Sequence, residues 1–541
     1  MKSASLLRSR LTFVALLTLL LGICIPSLVA QSAGTSGLSG VITDPSGAAI
    51  PNVTVTLTSN DTNQSRTATT GSDGQYKFTL LPPGSYKVRF SASGFKTSEV
   101  ASVTLNVTES PTVDRTLEVG AQSEQVTVEA AAETLQTSSS TLGTVVGSNT
   151  VTELPLANRN FTQIIDLSAG ANAPVNNATQ FGKGTQDVSV NGNTPGQNNF
   201  QMDGVAIQAM ASNGSANDGG IYVGIAIPSP DAIQEFKIQT STYDATYGRN
   251  PGGNVNVVTK SGSNTWHGTA FEFFRNADLD ANDFFYNRDV CRTSYAGESC
   301  PHQVLNQNQF GGVIGGPIKK DKLFIFGSYE QTGQKNGVNA VGLSAIPLYP
   351  AIPTGNRTSQ AFVQQLIADN CTAPAFGPPG GVLPCNTPVT GVSQVALNML
   401  NVTNANGSYY FPSNPTEGPL AFSQPALFHE KQTLVNGDYI INPKNTLAMR
   451  FFYSTDPRTA EFNTPIGGAL PGAPFPQQFS NTNAVLRLTT VVTNTFVNEL
   501  RGSYQRLFSK LADDLPAGWT PRIWASRLLS PAKLKDRLFP S

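Results

Sequence analysis

Charge is scarce in this chain. Asp, Glu, Lys and Arg make up only 13% of its 541 residues and nearly cancel, leaving a formal net charge of −1. So little charge beside 49 glycines and 36 prolines is unlike a cytosolic enzyme. It suits a β-rich extracytoplasmic or outer-membrane protein. Basic runs are missing too, so nucleic acid is not an expected partner. Histidine occurs three times, which leaves few candidates for histidine-based catalysis. His429-Glu430 has Thr433 where an H-E-x-x-H zinc helix needs its second histidine. Gly182-Lys183 has Asn177 where a phosphate-binding loop needs its first glycine. No enzyme activity, metal or cofactor is expected. After residue 30 no apolar run is long enough for a transmembrane helix of ~20 residues. If the chain enters a membrane it must do so as a barrel, because only helices and closed barrels satisfy their backbone groups in lipid.

The N-terminus reads as a secretory signal peptide, residues 1–30. Lys2, Arg8 and Arg10 precede an apolar segment from Leu11 to Ile25, and Leu28-Val29-Ala30 forms a cleavage site before Gln31. Four cysteines follow, Cys291, Cys300, Cys371 and Cys385, all in loop-like sequence. The simplest pairing joins Cys291 to Cys300 and Cys371 to Cys385, although four cysteines allow three connectivities. Exported chains favour such bridges.

The fold class expected is mainly β, and the length predicts several domains. Residues 31–118 show three apolar alternations: Val53-Val55-Leu57, Tyr76-Phe78-Leu80 and Tyr86-Val88-Phe90. Turns punctuate them at Asp44 to Gly47, Ser72 to Gly74 and Pro82 to Gly84. Short strands with frequent turns predict a small β-sandwich. The spacing of Gly40, Asp44, Gly47, Ile50 and Val55, with Asp73-Gly74-x-Tyr76-x-Phe78 and Leu81-Pro-Pro-Gly84-x-Tyr86, resembles the carboxypeptidase regulatory-like domain. That resemblance implies a transthyretin-like or carbohydrate-binding-like sandwich without catalysis. Sugar binding is open; no aromatic platform is evident.

Ser229 to Lys260 changes texture. Ser229 is a candidate N-cap, Pro230 opens a short helix, and Asp231 adds charge to its first turn. Strand alternation follows at Phe236 to Ile238. Tyr247-Gly248 and Pro251-Gly252-Gly253 break the chain, and Asn254 to Lys260 alternates again. This stretch resembles the plug-to-barrel junction of TonB-dependent outer-membrane receptors. Leu154-Pro155-Leu156-x-x-Arg159-x-Phe161, with Asn158 and Asn160 flanking Arg159, resembles the plug opening of the Oar-like subgroup. Val188 to Gly192 and Asn199 to Val205 resemble central plug strands, with Asp203-Gly204 a tight turn. The resemblance implies an α+β plug over 119–250. It also implies a Ton box at Glu124, Gln125, Val126, Thr127, Val128, Glu129 and Ala130, a segment that pairs by strand addition with a periplasmic TonB-type energy-coupling protein. The same segment also reads as the last strand of the preceding sandwich.

From Gly253 onward, short turns alternate with long loops, as in part of an antiparallel transmembrane β-barrel over 251–510. The run from Gly315 to Glu330 closely resembles an Oar-like barrel hairpin. Glu499 and Arg501 fall on one face of their strand, with Phe496, Leu500 and Tyr504 on the other. Phe273, Phe274, Phe451, Phe452 and Tyr453 suit interfacial aromatic girdles. The strands number about eight, and an eight-strand interior is filled by side chains alone. A plug of ~130 residues, with a radius of gyration of roughly 14 Å, does not fit there. The chain therefore reads as part of a longer receptor, with an atypical tail over 511–541. The expected function is outer-membrane TonB-dependent transport of an unread substrate (siderophore, oligosaccharide or peptide), with outer-membrane lipid and the barrel assembly machinery as further partners. The alternative is a surface carbohydrate-binding or adhesion protein without transport. Deleting Glu124 to Ala130 discriminates the two.

Overall fold

A computed structural model describes residues 34–511, except 122–124, 129–140, 174–179, 185–186, 208–225, 244–246, 249, 293–301, 339–342, 350, 372–391, 393–396, 399, 402, 404–406, 408, 410, 412, 415–417, 424, 461–474 and 494–495. The expected signal peptide and tail lie outside the described residues.

The first unit contains β1 (Ser36–Thr43), β2 (Thr54–Ser59), β3 (Ser65–Thr69), β4 (Gln75–Leu81), β5 (Gly84–Ser91), β6 (Thr97–Leu105), β7 (Arg115–Thr116) and β8 (Gln125–Val128). They form two sheets, β4-β1-β7 and β3-β2-β5-β6-β8. Val53, Val55, Leu57, Tyr76, Phe78, Val88 and Phe90 are buried between the sheets, as their alternation predicts. The alternation breaks at Leu80. That residue adopts φ +55°, and Leu81 takes the buried position instead. Gly74 turns at φ +69°, and a Cβ there would lie 2.6 Å from the Ile42 carbonyl oxygen, so the turn before β4 requires glycine.

The second unit is the plug, with β9 (Leu142–Gly147), α1 (Ser148–Glu153), β10 (Ala171–Asn172), β11 (Ser189–Val190), β12 (Asn199–Met202), β13 (Val205–Ala206), β14 (Ile233–Ser241) and β15 (Asn254–Thr259). Its main sheet runs β13-β12-β15-β14-β9. Asp203 and Gly204 turn between β12 and β13 with positive φ at both residues, as their sequence signals. The Asp203 carboxylate accepts from the Thr259 amide at 3.0 Å and the Thr259 hydroxyl at 2.8 Å. This ties the turn to the end of β15.

The wall is a seven-stranded antiparallel sheet: β16 (His267–Arg275), β17 (Leu305–Lys319), β18 (Leu323–Asn336), β21 (Ala426–Asn442), β22 (Asn445–Ala460), β23 (Phe475–Val491) and β24 (Val497–Leu511), paired in that order. β19 (Leu343–Tyr349), α2 (Gln360–Cys371) and β20 (Gly418–Ser423) lie in the long connection between β18 and β21. The strand expected to begin the wall at Gly253 belongs elsewhere. Asn254–Thr259 pairs with β14 and β12, so β15 completes the plug sheet and the wall begins at His267. Period-two alternation is the same in either sheet, so sequence could not assign it.

Along β18, Phe324, Phe326, Ser328, Glu330, Thr332 and Gln334 face inward and are buried. Across the wall, Ile314, Tyr329, Met449, Phe451, Tyr453, Leu486, Leu500 and Tyr504 are exposed on the opposite face. That is the apolar band of a membrane-spanning barrel sheet. Two of the aromatics expected in a girdle face the other way. Phe452 is 2% exposed and joins the plug core, whereas its neighbour Phe451 is 37% exposed on the outer face. Phe273 turns to the plug, beneath the Arg159 guanidinium. Val313, Phe326, Leu434 and Phe452 of the wall share one hydrophobic cluster with Phe161, Phe200, Phe236 and Val257 of the plug. Each large apolar side chain so buried contributes about 1.5–3 kcal/mol. Plug and wall are thus packed as one core.

Candidate functional site

A buried charged site lies where the plug meets the inner face of the wall. It is built by Asn158-Arg159-Asn160. The Asn158 amide donates to the carbonyls of Gln180, at 3.2 Å, and Gly182. The Asn160 amide donates to the Lys183 carbonyl at 3.0 Å, while its oxygen caps the turn at the Thr162 amide. Arg159 sits between them in the left-handed region, φ +50°. Such a backbone costs of order 1 kcal/mol and must be held by its surroundings. The flanking asparagines hold it, and they also hold the 180–183 segment that delivers Lys183.

Glu330 of β18, fully buried, receives both cations. Arg159 Nε approaches it at 3.2 Å and Lys183 Nζ at 2.6 Å. Lys183 also pairs with Glu430 of β21 at 3.2 Å, and Arg159 with Asp231. Ser229 and Gln432 donate to Glu330 at 2.7 and 3.2 Å. The Ser229 amide in turn donates to Gln432 at 2.9 Å. Burial opposes the charge on Lys183, but Glu330 and Glu430 outweigh it and hold the ammonium above its ordinary pKa. The Arg159 guanidinium also lies 4.2 Å from the Phe271 ring centre and 4.7 Å from that of Phe273.

Ser229 is therefore not a helix cap. Its side chain makes no cap bond, Pro230–Ala232 is a single 3-10 turn, and the hydroxyl goes to Glu330 instead. Asp231 does lie in the first turn as expected, and it serves Arg159. Lys183, Glu330 and Glu430 were not recognisable as a site from sequence. The available signal was a pair of acids on the inward phase of two wall strands, together with Arg159 in its motif.

A second polar seam lies nearer the short turns. Arg450 pairs with Asp438 at 3.0 Å, and Asn436 donates to the Thr259 hydroxyl and the Lys260 carbonyl, both at 2.7 Å. Arg501 pairs with Glu499 at 2.8 Å and donates to the Gly204 carbonyl at 2.9 Å. Glu499 and Arg501 share the inward face while Phe496, Leu500 and Tyr504 are exposed, as their spacing predicts.

The sandwich docks at this end. Asn63 donates to Asp321 at 2.9 Å and Gln64 to Thr446 at 2.7 Å, both at short wall turns. Lys237 of the plug pairs with Glu109 at 3.0 Å, and Glu235 accepts from the Val107 amide. Burial pushes the Glu235 carboxyl up to about 7, against the Val107 bond that favours its charge. A cavity of about 370 Å³ remains among sandwich, plug and wall, lined by Asp61, Asp203, Asp438, Arg450 and Arg487 among others.

The expected Ton box is partly described. Gln125–Val128 is β8, paired parallel to β6 with Thr97 opposite Gln125 and Val100 opposite Val128. Glu124, Glu129 and Ala130 lie outside the described residues. Cys291 is disulfide-bonded. Cys371 ends α2, and Cys300 and Cys385 lie outside the described residues. Among the described residues no group of His, Cys, Asp and Glu could hold a metal ion.

The antiparallel wall and the small sandwich that precedes it agree with the families whose models match. Residues 258–521 match the outer membrane beta barrel domain, and residues 37–118 the carboxypeptidase regulatory-like domain. The matches are thus to an outer-membrane β-barrel domain preceded by a regulatory-like domain. The chain is also similar to the TonB-dependent transporter Oar of Myxococcus xanthus, at 29% identity over 285 residues. That alignment covers 51% of this chain and 25% of the relative, so the chain spans about a quarter of that relative's length. Among solved structures it overlaps the outer membrane transporter YddB from Escherichia coli, with TM-score 0.42 and 11% identity, over 69% of this chain and 40% of that one. It also overlaps the siderophore receptor PirA from Acinetobacter baumannii, with TM-score 0.31 and 13% identity, over 69% and 49%.

Proposed function

We propose that this chain takes part in TonB-dependent transport across the outer membrane. The observation that carries the reading is the buried cluster of Arg159, Lys183, Asp231, Glu330 and Glu430 between plug and wall. Charges taken out of water are costly unless mutually paired, and breaking such a pair costs about 3–5 kcal/mol. The cluster therefore holds the plug in one seat while leaving a discrete set of contacts that force can break. A hydrophobic seal alone would yield gradually. In this reading an energy-coupling protein in the periplasm engages Glu124 to Ala130 and pulls, and the plug leaves its seat. Export through the residue 1–30 signal precedes assembly. The substrate class is open among siderophores, oligosaccharides and peptides.

The test is deletion of Glu124 to Ala130 in cells supplied in turn with an iron-loaded siderophore, a maltooligosaccharide and an oligopeptide. Uptake that the intact chain supports should disappear, and a Val126→Cys variant should form a disulfide with a cysteine-bearing coupling protein. Uptake that survives the deletion would refute the coupling role. Surface binding of sugar that persists without uptake would favour adhesion.

A further inference from the structure

The sandwich is joined to the rest of the molecule differently from the way plug and wall are joined to each other. Plug and wall share one hydrophobic cluster. The sandwich core is a separate cluster, and no buried residue belongs to both. The seam between sandwich and plug is polar. On one face of the main plug sheet, Phe200, Phe236, Val255 and Val257 point into the shared core. Lys237, Asn256 and Gln201 are register neighbours on the other face, and Lys237 meets Glu109 of the sandwich there. Asn106 donates to the second Glu109 oxygen at 2.8 Å, which aims the carboxylate. Among the described residues, both polar atoms of the Asn256 amide and the Gln201 oxygen are buried with no hydrogen-bond partner.

These groups set the cost of parting. A buried apolar contact resists separation because its surface must meet water. Here parting returns Lys237 and Glu109 to water together, so neither charge is left buried alone. It also hydrates the Asn256 and Gln201 amides, which docking leaves unsatisfied. The cavity of about 370 Å³ beside this seam is lined by Asp61 of the sandwich, Asp203 of the plug and Asp438 of the wall, and has room for roughly a dozen waters. The remaining contacts are hydrogen bonds between loops. Asn63 donates to Asp321, Gln64 to Thr446, and the Asn264 amide to the Asp61 carbonyl at 2.9 Å. They lie at short turns of the wall, so the sandwich bridges the joint between plug and wall at the periplasmic end. The coupling segment belongs to the same body. Gln125–Val128, β8, pairs with β6 at the end of the sandwich sheet and with no plug strand. A pull on β8 therefore loads the sandwich directly.

We propose that the sandwich is a releasable cover over the joint between plug and wall, and that it leaves as one body, before the plug unseats, when β8 is pulled. The pull itself rests on the coupling role proposed above. Release of the plug is then the second of two steps. A ligand passing between plug and wall reaches the periplasm only after the first.

The test uses the full chain in detergent micelles, with one added reporter thiol on either face of β15. Asn256→Cys points to the sandwich and Val257→Cys to the shared core. Attachment of a maleimide is read by mass spectrometry of the peptide that carries each thiol. Asn256→Cys should react at least about tenfold faster than Val257→Cys, because separating the polar seam costs less than opening the shared core. Glu109→Gln leaves Lys237 buried without its anion, and Asn63→Asp sets a second carboxylate against Asp321. Together they should speed Asn256→Cys by at least about tenfold and leave Val257→Cys unchanged. Hydrogen exchange in β1 to β6 reports that the sandwich stays folded. The proposal is overturned if the two thiols react at one rate, because sandwich and plug then open together. It is also overturned if the paired substitutions leave Asn256→Cys unchanged in a folded sandwich. In cells, Asn256→Cys should react faster when the coupling protein is present than when it is absent. Equal rates there, with the micelle result intact, would overturn the coupling reading and leave the release standing.

Discussion

Glu330→Gln removes one charge from the plug seat while keeping the shape of the side chain. If every group is ionised, the cluster holds two cations and three anions, so the change does not strand a charge. What it removes is the group that both cations share, at 3.2 Å from Arg159 and 2.6 Å from Lys183. Asp231 and Glu430 still hold the two cations on their far sides. The expected cost is therefore at the low end for a broken buried pair, about 3 kcal/mol. If plug amides exchange through unseating, their protection should fall by roughly a hundredfold, since each tenfold corresponds to about 1.4 kcal/mol. Hydrogen exchange resolved to the peptides spanning 159–167 and 230–239 reads this directly. Peptides of the sandwich core around Val88 serve as the internal reference. Lys183→Met leaves Glu430 without its cation and should cost more, toward about 5 kcal/mol, and the two changes combined should cost less than their sum, because they break one shared contact. The reasoning fails if Glu330→Gln changes plug protection by less than about fivefold. It also fails if the two variants add independently.

The sandwich-to-plug contact should depend on pH. The Glu235 carboxyl is raised from 4.5 to about 7 by burial, so the docked state binds its proton more tightly than the separated state does. Docking should be strongest below the ordinary glutamate range and weaken as pH rises from about 4.5 to 7, by on the order of 3 kcal/mol. Glu235→Gln should flatten that dependence, as read by exchange protection of the Val107 amide; a slope that persists in the variant would assign it to another group. Two adjacent residues should differ in how their loss depends on the surrounding medium. Phe451→Arg puts a cation on the lipid face and should cost about 2–4 kcal/mol in membrane but little in a soluble form. Phe452→Ala opens a cavity under the plug and should cost about 3–5 kcal/mol in either setting, measured by urea unfolding in micelles and in vesicles.

Much of the architecture was legible because its signals are local. A strand that is wet or lipid-facing on one side and packed on the other must alternate, so Val53-Val55-Leu57 and Phe496-Leu500-Tyr504 could be phased from sequence. Turn chemistry is equally local: Gly74 and Asp203-Gly204 need backbone that few residues adopt. The motif around Arg159 marked a special place without saying what it was for.

What sequence alone determined is which residues share a face and where the chain turns, because both follow from a two-residue period and from φ preferences. Only the tertiary structure decided which sheet each alternating strand joins, and hence that Asn254–Thr259 belongs to the plug and Phe452 to its core. Only it brought Lys183 and Glu330, 147 residues apart, to 2.6 Å. A charge buried from water needs its opposite nearby in space, and nothing in the chain requires that partner to be near in sequence.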